Sequence, residues 1–349
     1  MKNLDLDSRR NFIRKMISLS VAAGFYTCSE PDADTKPDTD SDVIDAQTKG
    51  TIPTRPFGNT GFDVGLFSLG GQATVEMQGK KEMALAIINR ALDLGVNYID
   101  TSAYYGRAKP GEEQSPLQGT SERFIGQVLR DRRDEVFIAT KTHDRSYDGA
   151  MLHLESSLNN LQTNHIDLWQ IHNVRGPDDE NLDRIFADDG VLKAMQKAKD
   201  EGVVKNLGIT GHESPLQLRT LIERFPFDTV LTAINAADKH HDPVIENLLP
   251  TAVERNMGIV GMKIPARDRI FSHDGIISMK QAMEYVLTYP VSTVIIGCDT
   301  IAELEENIEI VNNFNPLSEE ELLAIENLTK PYYKELQFFK GLSPWPVDW

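Results

Sequence analysis

Four side chains of this sequence form a set that moves protons. Asp100 and Tyr105 stand five residues apart in Asp100-Thr101-Ser102-Ala103-Tyr104-Tyr105-Gly106. Lys141 lies in Ala139-Thr140-Lys141-Thr142-His143, and His172 in Trp169-Gln170-Ile171-His172-Asn173. A free phenol, with a pKa of about 10, gives up its proton reluctantly near neutrality. An ammonium beside it stabilises the phenolate and lowers that pKa. Asp100 would hold Lys141 charged and in place, and His172 would hydrogen-bond a substrate oxygen and orient it. Such a set protonates an oxygen that is gaining negative charge, as a carbonyl does when hydride attacks its carbon. Singly, each residue has a plainer use: a strand-end aspartate as a helix cap, a lysine paired with an acid, a buried histidine satisfied in the core, Tyr104 and Tyr105 as packing. Their joint arrival at the ends of three successive strands is what points to chemistry.

Those strands belong to a regular alternation. Short β-branched or apolar runs, at Gly65–Leu69, Tyr98–Thr101, Val136–Thr140, Asp167–Ile171, Asn206–Ile209, Thr229–Ala233, Gly258–Met262 and Thr293–Ile296, are separated by segments of helical period. Lys81 to Leu94 puts Met83, Ala84, Ile87, Ile88, Ala91 and Leu92 on one stripe. Ser121 to Leu129 follows Thr120, an N-cap candidate. Further helices are expected near Gly149–Leu161, Leu192–Glu201, Pro215–Arg224, Pro243–Arg255, Met279–Leu287 and Ile301–Asn312. Eight such units predict an α/β fold, a (β/α)8 TIM barrel, in which catalytic groups sit after the C-terminal ends of strands. The competing doubly wound sheet would show a glycine-rich G-x-G-x-x-G turn after its first strand, and here that strand ends Leu69-Gly70-Gly71-Gln72. Arg55 to Val64 reads as an N-terminal β-hairpin around Asn59–Gly61 that could plug the barrel floor.

Asp100-Thr101-Ser102-Ala103-Tyr104-Tyr105-Gly106 resembles the D-T-A-x-x-Y-G motif of the aldo-keto reductases, and Lys141 and His172 fall where that family has its catalytic lysine and histidine. Gly119-Thr120-Ser121-Glu122 with Ile125-Gly126 resembles the start of the family's next helix, so the resemblance runs from about Pro56 to Asn312. It implies a nicotinamide-dependent oxidoreductase acting on a small-molecule carbonyl or alcohol. Tyr105 would be the general acid, tuned by Lys141 and Asp100, with His172 positioning the carbonyl. The cofactor, NADP or NAD, would lie across the barrel mouth, against Gly71, Asn173, Thr210, Gly211, Asn235 and Lys263. Further along the chain, Gly297, Cys298, Thr300, Glu306 and Asn307 would complete its site, and the helix start after Thr300 would offer N–H groups to a phosphate. Where many members grip a 2′-phosphate with basic residues, this chain has Gly297, Asp299 and Glu303, with Lys263, Arg267 and Arg269 as alternative cations; the preference between NADP and NAD stays open. Met262 replaces a frequent aromatic, and Thr210-Gly211-His212 replaces a frequent Ser-Asn pair.

Other readings remain at this stage. The chain could bind a nicotinamide without turnover, as a redox-sensing or partner-binding module, or Lys141 could form a Schiff base as in aldolases. His240-His241-Asp242 invites a metal, but metal-dependent barrel hydrolases place an H-x-H after strand one and none is present, so no metal is expected. An insertion at 107–118 would overhang the substrate, and a C-terminal aromatic tail from 331 to 349, with Phe338, Phe339, Trp345 and Trp349, either shapes the pocket or packs on the barrel.

Composition sets the remaining bounds. The 349 residues are 40% hydrophobic and carry a formal charge of −17, an unfavourable balance for a general nucleic-acid binder. Two cysteines, Cys28 and Cys298, exclude a disulfide scaffold. No run of 18 apolar residues is present to span a membrane. Residues 1–28 have the layout of a signal peptide, and Ser8-Arg9-Arg10-Asn11-Phe12-Ile13 resembles the twin-arginine export motif. Residues 29–51 are rich in acids and poor in apolar groups, which predicts a disordered linker ahead of a barrel at 52–330. Cys28, at the end of the apolar run, resembles the acylated cysteine of bacterial lipoproteins. The expected location is therefore the periplasm, free or anchored to the membrane through Cys28, with a cofactor loaded before export and held tightly.

Overall fold

The computed structural model describes residues 50–106, 119–175, 182–271, 275–276 and 278–342. The expected signal peptide with Cys28, nearly all of the linker, the insertion at 107–118 and the tryptophans at 345 and 349 lie outside them.

Eight parallel strands close into a barrel: β3 (Phe67–Gly70), β4 (Tyr98–Asp100), β5 (Phe137–Thr142), β6 (Ile166–Val174), β7 (Val204–Gly211), β8 (Thr229–Ala233), β9 (Gly258–Met262) and β10 (Thr293–Ile296), with β10 pairing back to β3. The (β/α)8 TIM barrel expected from the alternation is the observed fold. Strands such as Thr229–Ala233 and Gly258–Met262 are buried along their whole length, as a parallel sheet covered on both faces requires. That double burial is why they read as continuous apolar runs and why their ends match the expected ones. Strands β5, β6 and β7 end two or three residues later than expected, because polar Lys141, His172 and Thr210 continue the ladder into the barrel mouth.

Before the barrel, β1 (Thr54–Pro56) pairs antiparallel with β2 (Asp63–Gly65) across a turn at Gly58–Thr60, and Gly61 takes the left-handed conformation, φ 72°. The hairpin does plug the barrel. Phe57, fully buried, sits with its ring centroid 5.5 Å from Tyr98 and 5.7 Å from Phe137. A Cβ on Gly258 would lie 2.5 Å from the Phe57 ring, so the ring occupies the space a side chain of β9 would need. Gly50 already donates to Asp93 O at 2.8 Å, which brings the last residues of the expected linker into the folded unit.

The helices show where periodicity misleads. In α1 (Lys81–Asp93) the stripe Ala84, Ile87, Ile88, Ala91 and Leu92 is buried, but Met83 is 43% exposed, one position round the helix from it. Thr120 begins α2 (Thr120–Arg132) rather than capping it; its hydroxyl donates to Gly106 O at 2.9 Å and ties the turn after β4 to the helix. Pro215–Arg224 forms as expected, with Ser214 as N-cap. The segment expected at Pro243–Arg255 splits into Val244–Asn247 and Leu249–Glu254, since Pro250 cannot donate in a continuous helix. A helix at Glu319–Thr329 was not expected, although Ser318 and Glu321 form a complete capping box. Among the described residues no helix is long and apolar enough to cross a membrane.

Candidate active site

The register of three strands assembles the set. Asp100 pairs with Ala139, and Lys141 with Gln170, so Asp100, Lys141 and Gln170 meet in one layer of the barrel interior. The Lys141 ammonium forms a salt bridge with Asp100 Oδ2 and donates to Thr101 O at 2.8 Å and Tyr105 Oη at 3.3 Å. Gln170 Nε2 donates to the other carboxylate oxygen of Asp100 at 2.9 Å. Tyr105 is delivered by the turn after β4, whose backbone is held by Tyr105 N to Ser102 O (3.1 Å) and Ser121 N to Tyr105 O (3.3 Å). Its ring lies 6.0 Å from that of His172, edge to face. All four expected catalytic side chains therefore converge.

Their electrostatics differ from expectation in one respect. Burial pushes the Tyr105 phenol up from its ordinary value; the Lys141 ammonium pulls it down, with Asp100 and Glu76 pushing further up, and the net direction is upward. Desolvation wins because the packed barrel mouth replaces much of the water around the phenol. Burial disfavours the Lys141 ammonium, yet Asp100 and Tyr105 together hold its pKa above the usual lysine value. Burial raises Asp100 as well, opposed by Lys141. Burial, with His143 and Lys141 nearby, keeps His172 well below the ordinary imidazole range. At neutral pH the site thus holds a protonated phenol, an ammonium and a neutral imidazole.

A cavity of about 650 Å³ opens over Asp100 and Tyr105, within the size range of small-molecule sites. Of the expected cofactor residues, Gly71, Lys263, Gly297, Glu306 and Asn307 line it. Thr210 is fully buried and its hydroxyl has no hydrogen-bond partner. Asn173 acts through His212: Asn173 Oδ1 is 2.7 Å from His212 Nδ1, and His212 lines the cavity. Because an amide oxygen only accepts, His212 Nδ1 is the donor. Four expected residues are spent elsewhere. A Cβ on Gly211 would meet Leu218 Cδ1 and Val174 O at 3.0 Å, so Gly211 faces the helix layer. Asn235 donates to Leu336 O at 3.0 Å and accepts from Ala237 N at 2.9 Å, anchoring the C-terminal segment. Cys298 is buried against Asn307, 3.7 Å away. Thr300 is the N-cap of the helix Ile301–Asn312, accepting from Glu303 N at 3.2 Å, while Glu303 Oε2 accepts from Asp299 N at 2.8 Å. The first bond takes up the Glu303 N–H of the helix start, and the second takes up the N–H of Asp299, which precedes the cap. Lys263 and Arg267 are the cations lining the cavity; burial, with Arg267 alongside, pulls Lys263 down to about 8.

The volume of the cavity and the two cations lining it fit a dinucleotide. The residue reading missed Gln170, the partner of Asp100, and the second imidazole His143, whose ring centroid lies 4.0 Å from that of His172. Gln170 was legible only as the residue two before His172 on the same strand face. His240 is bound to Glu326 O at 2.8 Å. The described part of the aromatic tail packs: Phe338 and Phe339 are buried, and Arg269 lies 4.1 Å from the Phe338 ring centroid.

The aldo/keto reductase family model matches residues 63–267, more than half of the chain. The chain belongs to the aldo/keto reductase family. This aldo/keto reductase is 25% identical over 322 residues to an uncharacterised oxidoreductase, YqkF, of Bacillus subtilis, covering 79% of this chain and 96% of the relative. It is 26% identical over 333 residues to the L-galactose dehydrogenase of Arabidopsis thaliana, covering 83% and 98%. Among solved structures, an aldo-keto reductase from Klebsiella pneumoniae in complex with NADPH superposes with a TM-score of 0.63 at 21% identity, covering 81% of this chain and 96% of that one.

Proposed function

We propose that this aldo/keto reductase interconverts a small-molecule carbonyl and an alcohol with a nicotinamide dinucleotide, Tyr105 serving as general acid. The observation that carries this reading is the contact of Lys141 Nζ with both Asp100 and Tyr105 Oη beneath an open cavity. When bound, a reduced nicotinamide would supply the hydride that reaches the carbonyl carbon. Tyr105, protonated at neutral pH, gives its phenolic proton to the carbonyl oxygen as negative charge builds there. Lys141 stabilises the phenolate that remains, and Asp100 and Gln170 keep Lys141 in place. Neutral His172 hydrogen-bonds the substrate oxygen. Lys263 and Arg267 would face the dinucleotide phosphates. A Schiff base at Lys141 needs a neutral amine, and the salt bridge to Asp100 disfavours that form. A binding module without turnover would have no use for the proton-donating set.

Asp268, Asp299, Glu303 and Glu306 line the same cavity. A 2′-phosphate would meet these four carboxylates, whereas a ribose hydroxyl can donate to one. NADH is therefore expected to bind more tightly than NADPH, the cofactor of the Klebsiella structure, and the difference should narrow as salt is added. Titration with both by fluorescence, followed by turnover of an aldehyde and ketone panel, tests the reading. Tyr105→Phe should lower kcat by about 10²–10⁴-fold while the dinucleotide still binds. Binding of neither dinucleotide would refute the assignment.

The twin-arginine-like start and the position of Cys28 support an exported enzyme, loaded with its dinucleotide before export and cycling it between two substrates. Dinucleotide absorbance in protein purified from periplasm tests the loading. Palmitate labelling that disappears in Cys28→Ala tests the anchor.

A further inference from the structure

A carbonyl oxygen can only accept, so His172 assists it only by presenting an N–H. A neutral imidazole has a single N–H, and the partner of the other nitrogen decides which one carries it. His172 is held neutral by its surroundings. The identity of the group at its Nδ1 therefore decides whether it can do its work.

That group is His143. The β5–β6 ladder pairs Lys141 with Gln170 and Thr142 with Ile171, so one step further His143 stands beside His172. Lys141 and His143 are two residues apart and share a strand face, which puts His143 one layer above the catalytic ammonium. The two Nδ1 atoms are 3.5 Å apart, with ring centroids 4.0 Å apart at 74°. The Tyr104 ring also packs on His143, with ring centroids 4.1 Å apart. Tyr104 is itself tethered: its hydroxyl is 3.2 Å from His153 Nε2, and His153 Nδ1 is 3.0 Å from Thr142 Oγ1. A chain of packed rings thus fixes the angle at which His143 meets His172.

Resting on the carbonyl-reductase reading of the site, we propose that His143 is a positioning residue: it donates its Nδ1–H to His172 Nδ1 and so keeps the His172 proton on Nε2, as the substrate oxygen requires. The reverse bond would put the proton on His172 Nδ1 and leave Nε2 a bare acceptor, repelling the carbonyl lone pairs.

Nitrogen-15 NMR of histidine-labelled protein reads the tautomer without turnover. His172 is expected as the Nε2–H form in the wild type. His143→Phe keeps a ring against Tyr104 but has no N–H; it should shift His172 away from that form and lower kcat about tenfold, the size of one lost hydrogen bond, with little change in KM or dinucleotide affinity. His143→Asn, which restores an N–H donor near the place of Nδ1, should recover most of both. An Nδ1–H tautomer in the wild type, or an unchanged tautomer and kcat in His143→Phe, would overturn the proposal. Should His143→Phe fail to fold, the wild-type tautomer still decides. If no carbonyl is turned over with NADH or NADPH, the reductase reading fails, an outcome separate from the tautomer measurement.

Discussion

At the scale of single residues, Lys141 carries the largest electrostatic load. Its side chain and that of Asp100 are each 1% exposed, so each charge depends on the other. Removing one partner of such a pair leaves the other uncompensated in a medium that solvates it poorly. Lys141→Met is expected to cost about 3–5 kcal/mol of stability as well as activity, measured by denaturant titration. Lys141→Met combined with Asp100→Asn should recover much of the stability but none of the activity, since the phenolate would still lack its ammonium. This separates the structural cost of the pair from its catalytic use.

At the scale of elements, the N-terminal hairpin governs the barrel floor beneath the site. Phe57 packs on Tyr98 and Phe137, and Tyr98 stands two residues before Asp100 on β4. Phe57→Ala would empty a fully buried ring site and should destabilise the protein by about 3–5 kcal/mol, seen as a lower denaturation midpoint. Most strands and the helices Pro215–Arg224 and Ile301–Asn312 were readable from periodicity, because burial on one or both faces imposes it. Residues such as Met83 and Pro250 were not, because a stripe drawn on a helix does not show where its edge meets solvent, and one proline breaks a segment whose pattern is otherwise continuous.

At the scale of the whole molecule, closing the barrel brings several imidazoles into places where they cannot easily charge. Burial, aided by Arg133 and Lys205, pulls His165 from 6.5 to about 4, and burial lowers His172 and His212 well below 6.5. In the window between about 4 and 6.5 the His165 imidazole binds a proton in the unfolded chain but not in the folded one, so its contribution to stability rises with pH across that window and is lost as pH falls. Between pH 7 and pH 4 the thermal midpoint of the wild type should fall further, relative to its value at pH 7, than that of His165→Gln. An unchanged slope in that variant would place the acid sensitivity elsewhere.

The order of residues along the chain was enough to read the eightfold alternation, the plugging hairpin, the family and the four candidate catalytic side chains, because each rests on periodicity or short-range spacing. It was not enough to establish what those side chains touch. Gln170 on Asp100, His143 beside His172 and Asn173 on His212 join residues from different strands, and only the register of the closed barrel brings them within bonding distance. The direction of the Tyr105 shift likewise came from folding: a neighbouring lysine can be read from one dimension, but the removal of water that outweighs it belongs to the packed interior.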